Sequence, residues 1–403
     1  MSSGGLSRAR LARMHDVMAG HVESGSMPGL VTLVARRGEV HVDTIGTRAV
    51  GGAEPMRRDT LFRIASLTKP VAAAAAMVLV EECRLRLDEP VDELIPELAG
   101  RRVLRRLDAA LDDTVPANRP ITARDLLTLR MGLGYAFEGG GAYPIQQAFR
   151  EFGILQGPPH PQAFPDMDEW MRRVGTLPLM YQPGERWQYD LALDVLGVLV
   201  ARAAGQPLDV FLRERVLEPL GMRDTAFHVP PDKIGRFATS YAVDPETGGL
   251  RVFDEAAGGG WSRPPAFAAA ASGLVSTADD FLAFGRMMLD GRAPGGERIL
   301  SRHAIETMTA DHLTSAQKAV SGLFPGQFDA TGYGFGLSMV TRRGGVADSV
   351  GSFGWTGGLG TLWFSDPREE LVGILLTQRG FTSPVLPPVA ADFRTLVYAA
   401  IDD

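Results

Sequence analysis

Cysteine and lysine are the scarcest informative residues of this chain: 403 residues hold one cysteine, Cys83, and three lysines, Lys69, Lys233 and Lys318, against 38 arginines. A single thiol excludes an internal disulfide and any multi-cysteine metal site. No apolar run approaches the roughly 20 residues that cross a bilayer; the longest, Val71 to Val80, stops at Glu81. Surplus positive charge is also missing. Forty-eight acidic against 41 basic residues leave a formal charge of −7, and the arginines are scattered, which argues against a phosphate-backbone partner. The densest basic run, Arg101 to Arg106, mixes polar and apolar positions at helical spacing and predicts a solvated helix face. No apolar stretch follows Arg8 and Arg10, so no secretory signal is read there. The expectation is a cytoplasmic protein without a nucleic-acid or membrane partner, and no oligomeric state is implied.

What the chain has is enough to build a large core. Hydrophobic residues make up 45% and charged residues 22%, proportions of a folded globular protein and not of a disordered one. Apolar positions recur at helical spacing from Leu6 to Val22. Leu30 to Ala35 and Val40 to Ile45 then flank the turn Arg37-Gly38, which predicts a helix followed by a β-hairpin. Near the other end, Tyr333 to Val340, Thr361 to Phe364 and Leu371 to Leu376 read as strands and Ala390 to Ile401 as a closing helix. Most of the intervening periodicity is helical. The expectation is an α/β (α+β) fold in one 1–403 catalytic domain. Residues 1–82 and about 275–403 would form an α/β part around one antiparallel sheet, with a mainly helical part inserted over about 83–274. Long Pro- and Gly-rich loops, at Glu138 to Tyr143, Gly157 to Pro165 and Ala256 to Ala271, are of the kind that wall pockets.

Three lysines and 18 serines give less than one chance Ser-x-x-Lys match, and two occur. The first, Ser66-Leu-Thr-Lys69, follows the strand-like Leu61 to Ala65 and precedes Pro70 and the apolar run. Proline is tolerated only around the first helical turn, so a helix opens close to Ser66. Residues three apart share a face, and an oxyanion at that opening lies in the positive field of a helix N-terminus. The second match, Ser315-Ala-Gln-Lys318, sits in a polar stretch and reads as surface.

A serine hydroxyl needs a base to become a nucleophile. Lysine titrates near 10.4 when free, so Lys69 as that base would have to be depressed by roughly 3 pH units through burial or a neighbour; arginine cannot serve. Tyr189, in Pro183-Gly-Glu-Arg-Trp-Gln-Tyr189-Asp190-Leu191 ahead of an apolar helix from Leu191 to Ala201, is a second proton acceptor if a cation lies beside it. The third segment is glycine-rich: Gly351-Ser-Phe-Gly-Trp355-Thr-Gly357-Gly358-Leu-Gly360 running into Trp363-Phe364. Glycines there let backbone approach a ligand and present an N–H to developing negative charge. Taken singly, Ser66 can be an N-cap, Tyr189 a core-edge aromatic and Trp355 a packed ring.

In this order and context the three segments resemble the serine β-lactamase and penicillin-binding-protein family, in its class C β-lactamase-like branch, and within it the family VIII carboxylesterases. The resemblance runs from about Met27 to Tyr398. It rests on Asp59 to Pro70, on Ile121 to Leu133, similar to a helix of the branch, on Tyr189 to Gly197, and on Gly221-Met-Arg-Asp-Thr225. It implies a β-lactamase/DD-peptidase-like fold and an acyl-enzyme on Ser66, with Ser66, Lys69 and Tyr189 as the catalytic set. Backbone N–H groups of Ser66 and Gly358 would form the oxyanion hole, and Trp355, Tyr135 and Gly357 would bind substrate. No cofactor and no metal are implied.

Two positions depart from the β-lactamase pattern. Leu191 stands where the second motif ends in Asn, and Trp355 where the third opens with Lys. Losing an amide donor and a cation at the places that grip a β-lactam favours a carboxylesterase for small, neutral, short-chain esters. The alternatives are a weak β-lactamase or D-amino-acid amidase, and a penicillin-binding sensor or assembly protein that is acylated without turnover. No Gly-x-Ser-x-Gly is present (Ala347-Asp-Ser349-Val-Gly351 comes nearest), nor a His-Glu-x-x-His or P-loop pattern, which removes α/β-hydrolase, zinc protease and NTPase readings.

Overall fold

The computed structural model describes residues 4–135, 138–154 and 157–403. Helix α1 (Arg8–Glu23) leads into a hairpin of β1 (Gly29–Arg36) and β2 (Glu39–Gly46). Strand β3 (Phe62–Arg63) and a 3-10 turn (Ala65–Leu67) then deliver the chain to α2 (Thr68–Glu81). Helices follow at Ala123–Leu127, Pro144–Glu151, Met167–Thr176 and Ala192–Ala204, then at Leu208–Leu212. Periodicity missed the short ribbons among them: β4 (Arg102–Leu104) with β5 (Thr114–Pro116), β6 (Ser240–Val243) with β7 (Leu250–Asp254), and β8 (Val275–Ser276), which pairs with β3. The C-terminal part carries a helix at Ala278–Asp290 and five strands: β9 (Thr331–Tyr333), β10 (Ser338–Val340), β11 (Phe353–Gly357), β12 (Thr361–Asp366) and β13 (Leu371–Thr377). It closes with the helix Pro388–Ala399.

Seven strands form one antiparallel sheet in the order β2-β1-β13-β12-β11-β10-β9, so the N-terminal hairpin is joined to the C-terminal strands through β1 and β13. Strand side chains alternate between faces. Leu30 and Val34 of β1 meet Leu362, Phe364, Leu371 and Leu375 and, beyond them, Met14 and Met18 of α1 and Phe393 and Val397 of the last helix. Val31, Leu33 and Ala35 go to the opposite core, with Trp363, Ile374 and Leu376 and with Phe281 and Phe284 of the helix Ala278–Asp290. Helices on both faces explain why β1 and β13 are buried at every position and read as continuous apolar runs.

Helix α2 forms the centre of the opposite core. Its run Ala72 to Ala76 is buried; alanine combines the best helix propensity with the smallest side chain, so the helix Ala192–Ala204 packs closely against it. Among the described residues no single helix is long and apolar enough to cross a membrane.

Two sequence expectations are corrected. Arg101 to Arg106 is not a solvated helix face: Arg102–Leu104 is a strand paired with β5. Arg101 is buried, and its guanidinium donates to the carbonyls of Glu97, Gly175 and Leu177. Tyr333 to Val340 is not one strand but a tight turn between β9 and β10, with Ser338 opposite Tyr333. The cause is two glycines. A Cβ on Gly334 would lie 2.0 Å from the Met308 carbonyl, and Gly336 has φ +70° with room for a Cβ only 2.8 Å from the Lys69 carbonyl, a backbone that side-chain-bearing residues rarely adopt.

Candidate active site

The nucleophile candidate stands on a strained connection. Ala65, immediately before Ser66, has φ +45°. A left-handed alanine costs on the order of 1–2 kcal/mol and persists only where the surroundings enforce it. Those surroundings are visible. Ile64 N–H donates to the Leu274 carbonyl, Leu67 N–H to the Ile64 carbonyl, and Thr68 Oγ1 donates to the Ala65 carbonyl at 2.7 Å while accepting from Leu274 N–H. The first bond of the 3-10 turn therefore starts at Leu67, and the Ser66 N–H precedes it without an intrahelical acceptor.

Three residues along the helix, Lys69 turns back onto Ser66. Its Nζ is 3.0 Å from Ser66 Oγ, 3.2 Å from Asp190 Oδ2 and 2.8 Å from the Ala271 carbonyl, and it lies 4.4 Å from the centre of the Tyr189 ring. The lysine side chain is wholly buried. From the far side the Tyr189 hydroxyl donates to Ser66 Oγ at 2.7 Å, and Trp355 Nε1 donates to the Tyr189 oxygen at 3.3 Å. The structure thus brings Ser66, Lys69, Tyr189 and Trp355 into one hydrogen-bonded group, assembled from the start of α2, the turn before the helix Ala192–Ala204, and β11.

Gly358 and Tyr135 line the same cavity as Ser66. The Tyr135 N–H donates to the Tyr189 carbonyl, and its hydroxyl accepts from Gly157 N–H at 2.8 Å, which ties the loop around 157 to the site. Burial, helped by Asp190, raises the Tyr135 phenol well above its ordinary value. Gly357 is placed differently from the expectation. It is absent from the cavity wall, and a Cβ there would lie 2.2 Å from the Ile64 carbonyl and from Thr361 Oγ1. Its bareness lets β11 close onto the backbone ahead of Ser66. Leu191 is likewise buried outside the cavity wall.

The cavity measures about 640 Å³, within the range of small-molecule sites. Leu323, Phe324, Met339, Trp355, Leu359 and Phe381 are among its walls. Asp190 and Arg394 are its only charged lining residues among those described, and Arg394 is held by Asp348 at 2.6 Å. No group of three or more His, Cys, Asp or Glu among the described residues is arranged to hold a metal ion.

One electrostatic expectation is reversed. Burial does pull the Lys69 ammonium down, but the negative charges available at Tyr189, Asp190 and Asp194 outweigh it and leave the lysine above its ordinary value. Asp194, four residues beyond Asp190, accepts from the Ala271 N–H at 2.8 Å; burial, reinforced by Asp190, pushes its carboxyl up to about 7. Sequence reasoning missed Asp190, Asp194 and the Ala271 carbonyl. Two aspartates in the otherwise apolar Leu191 to Leu196 neighbourhood were the available signal for the first two; a main-chain oxygen has none.

The chain belongs to the β-lactamase family: residues 14–392 match its "Beta-lactamase" description. Among relatives, it is 41% identical over 362 residues to Protein Rv1367c of Mycobacterium tuberculosis, covering 88% of this chain and 87% of that one. It is 34% identical over 421 residues to Esterase EstB of Burkholderia gladioli, covering 96% and 95%. Among solved structures it is similar to EstCE1, described as a hydrolase with promiscuous acyltransferase activity, with a TM-score of 0.80, 25% identity and coverage of 97% and 99%.

Proposed function

We propose that the chain is a serine carboxylesterase acting on small neutral esters through an acyl-enzyme on Ser66. The carrying observation is that Ser66 Oγ sits between Lys69 Nζ and the Tyr189 hydroxyl at the edge of a cavity with no unpaired cation among its described lining residues. The likeness to Esterase EstB supports the same reading.

In this mechanism the reactive form holds Tyr189 as a phenolate, its own proton given up to solvent, and Ser66 Oγ attacks the ester carbonyl as the serine proton passes along the 2.7 Å contact to that oxygen, leaving a neutral phenol. Lys69 supplies positive charge beside that oxygen, which stabilises the phenolate before the transfer. The N–H groups of Ser66 and Gly358 receive the oxyanion; one such donor is typically worth about 10²–10³ in rate. Tyr189 returns the proton to the departing alkoxide, and water repeats the sequence on the acyl-enzyme. Trp355 holds the Tyr189 oxygen through its indole N–H and fills, with an apolar ring, the place where a cation would recognise a carboxylate. The cavity volume exceeds what an acetyl group needs, and residues 157–159 and 381–384 form part of its wall.

The test is steady-state hydrolysis of p-nitrophenyl acetate and butyrate beside a chromogenic cephalosporin, with active-site titration. The aryl esters should be favoured by about 10² or more in kcat/KM, the worth of a lost charged contact, with continuous product release after one acylation per chain. Equal efficiency on the cephalosporin would overturn the ester assignment, and a single stoichiometric burst would mark a sensor.

A further inference from the structure

Lys69 Nζ faces three oxygen atoms, two of which can only accept. A neutral amine has two N–H donors and an ammonium has three. The Ala271 carbonyl and the Asp190 carboxylate accept and cannot donate, at 2.8 and 3.2 Å, and Ser66 Oγ stands third at 3.0 Å. A buried cation requires a partner. Among the described residues Asp190 is the one carboxylate within ion-pairing distance of Nζ; Asp194 stands behind the Ala271 peptide, accepting its N–H while the Ala271 carbonyl accepts from Lys69. The other titratable groups around this pair are Tyr189, over whose ring Nζ lies, the half-buried Tyr135 and the buried Tyr333, both within the field of Asp190.

We propose that Asp190 is a positioning residue of this site: its carboxylate, with the Ala271 carbonyl, holds Lys69 as an ammonium ion turned toward Ser66, so that proton transfer falls to Tyr189. The inference rests on the ester-hydrolase reading for its consequence in catalysis, but the charge state it assigns to Lys69 does not depend on substrate. Asp190 never touches the reacting ester in this scheme. It acts through Lys69, by fixing where the ammonium points and by offsetting the penalty of burying it. The contact is local, since Asp190 follows Tyr189 directly and one turn delivers both groups to opposite sides of the Ser66–Lys69 pair.

The scarcity of lysine makes the test direct. With Lys233 and Lys318 as the only other lysines, ¹³Cε-lysine labelling of the full chain gives three side-chain signals, and Lys69→Arg identifies the one from position 69. In the parent, Lys69 should keep its ammonium shift to at least pH 9. In Asp190→Asn its titration should begin at least about one pH unit lower, the scale of an opposite charge at this distance. For p-nitrophenyl butyrate, kcat should fall about tenfold or more with KM within about twofold, the alkaline limb of kcat should move in the same direction, and Asp190→Glu should restore part of the rate. A neutral Lys69 in the parent at pH 8 overturns the proposal, as does a folded Asp190→Asn with unchanged Lys69 titration and kcat. If Asp190→Asn does not fold, the parent titration alone decides between ammonium and amine. Full turnover by Ser66→Ala would remove the ester-hydrolase reading yet leave the lysine titration to report on Asp190.

Discussion

The chain carries Ser-x-x-Lys twice, and the two copies have different surroundings. Ser66 and Ser315 each stand at the opening of a helical segment with a lysine three residues on. Around Ser66 every side chain of the motif is buried, and the lysine points back to the serine. Around Ser315 the helix Ser315–Ala319 buries nothing, and Lys318 turns away to Asp311 at 2.5 Å and to the Thr331 carbonyl. Spacing gives reach in both; only burial gives the ammonium a low-dielectric setting in which its charge weighs on a neighbouring hydroxyl. Short motifs acquire chemistry from what packs around them.

The contrast is broken most severely if the wrong serine proves essential. Ser66→Ala should lower kcat for p-nitrophenyl butyrate by about 10⁴-fold or more, while Ser315→Ala stays within twofold of the parent. A smaller effect sharpens the role of packing. Gly336 presses against the Lys69 carbonyl with a left-handed backbone, whereas a Cβ on Gly345 meets nothing within 4 Å. Gly336→Ala should cost about 2 kcal/mol or more in chemical denaturation and Gly345→Ala no more than about 0.5.

The smallest effect concerns charge. The Asp194 carboxyl, raised to about 7 in the fold, titrates near 3.9 when unfolded, so between about pH 4 and 7 the native chain holds the extra proton. Stability from this group is therefore present at the acid end and is lost as pH rises toward 7. Tm of the parent should fall over that interval by more than that of Asp194→Asn; equal slopes would detach Asp194 from the charge shell around Lys69.

The legible parts of the molecule are those that local spacing controls. Short apolar runs at Leu30 to Ala35 and Leu371 to Leu376 marked strands that lie in the interior of the sheet, and the Ser66–Lys69 interval marked two side chains that meet. Contacts made at long range were less so. Asp190 reaches Lys69 across 121 positions, and Arg101 reads as a surface charge until the carbonyls of the segment 174–177 are seen around it. Glycine was ambiguous for a related reason: in Tyr333 to Val340 it interrupts a strand pattern, and only the neighbouring carbonyls of Lys69 and Met308 reveal that a turn was required.

The join between β1 and β13 sets a timetable for biosynthesis. Leu30 lies beside Thr377 and Arg36 beside Leu371, so the hairpin that leaves the ribosome first waits for nearly the whole of translation before its second edge is covered. During that interval the continuous apolar face of β1 has no sheet to join, and contacts this distant in sequence form slowly. Release of the C-terminal strands is the step at which the nascent chain ceases to be a target for chaperones and for edge-to-edge association. Ribosome stalling between Tyr189 and β13 would leave a fragment that carries Ser66, Lys69 and Tyr189 without the sheet that holds them in place.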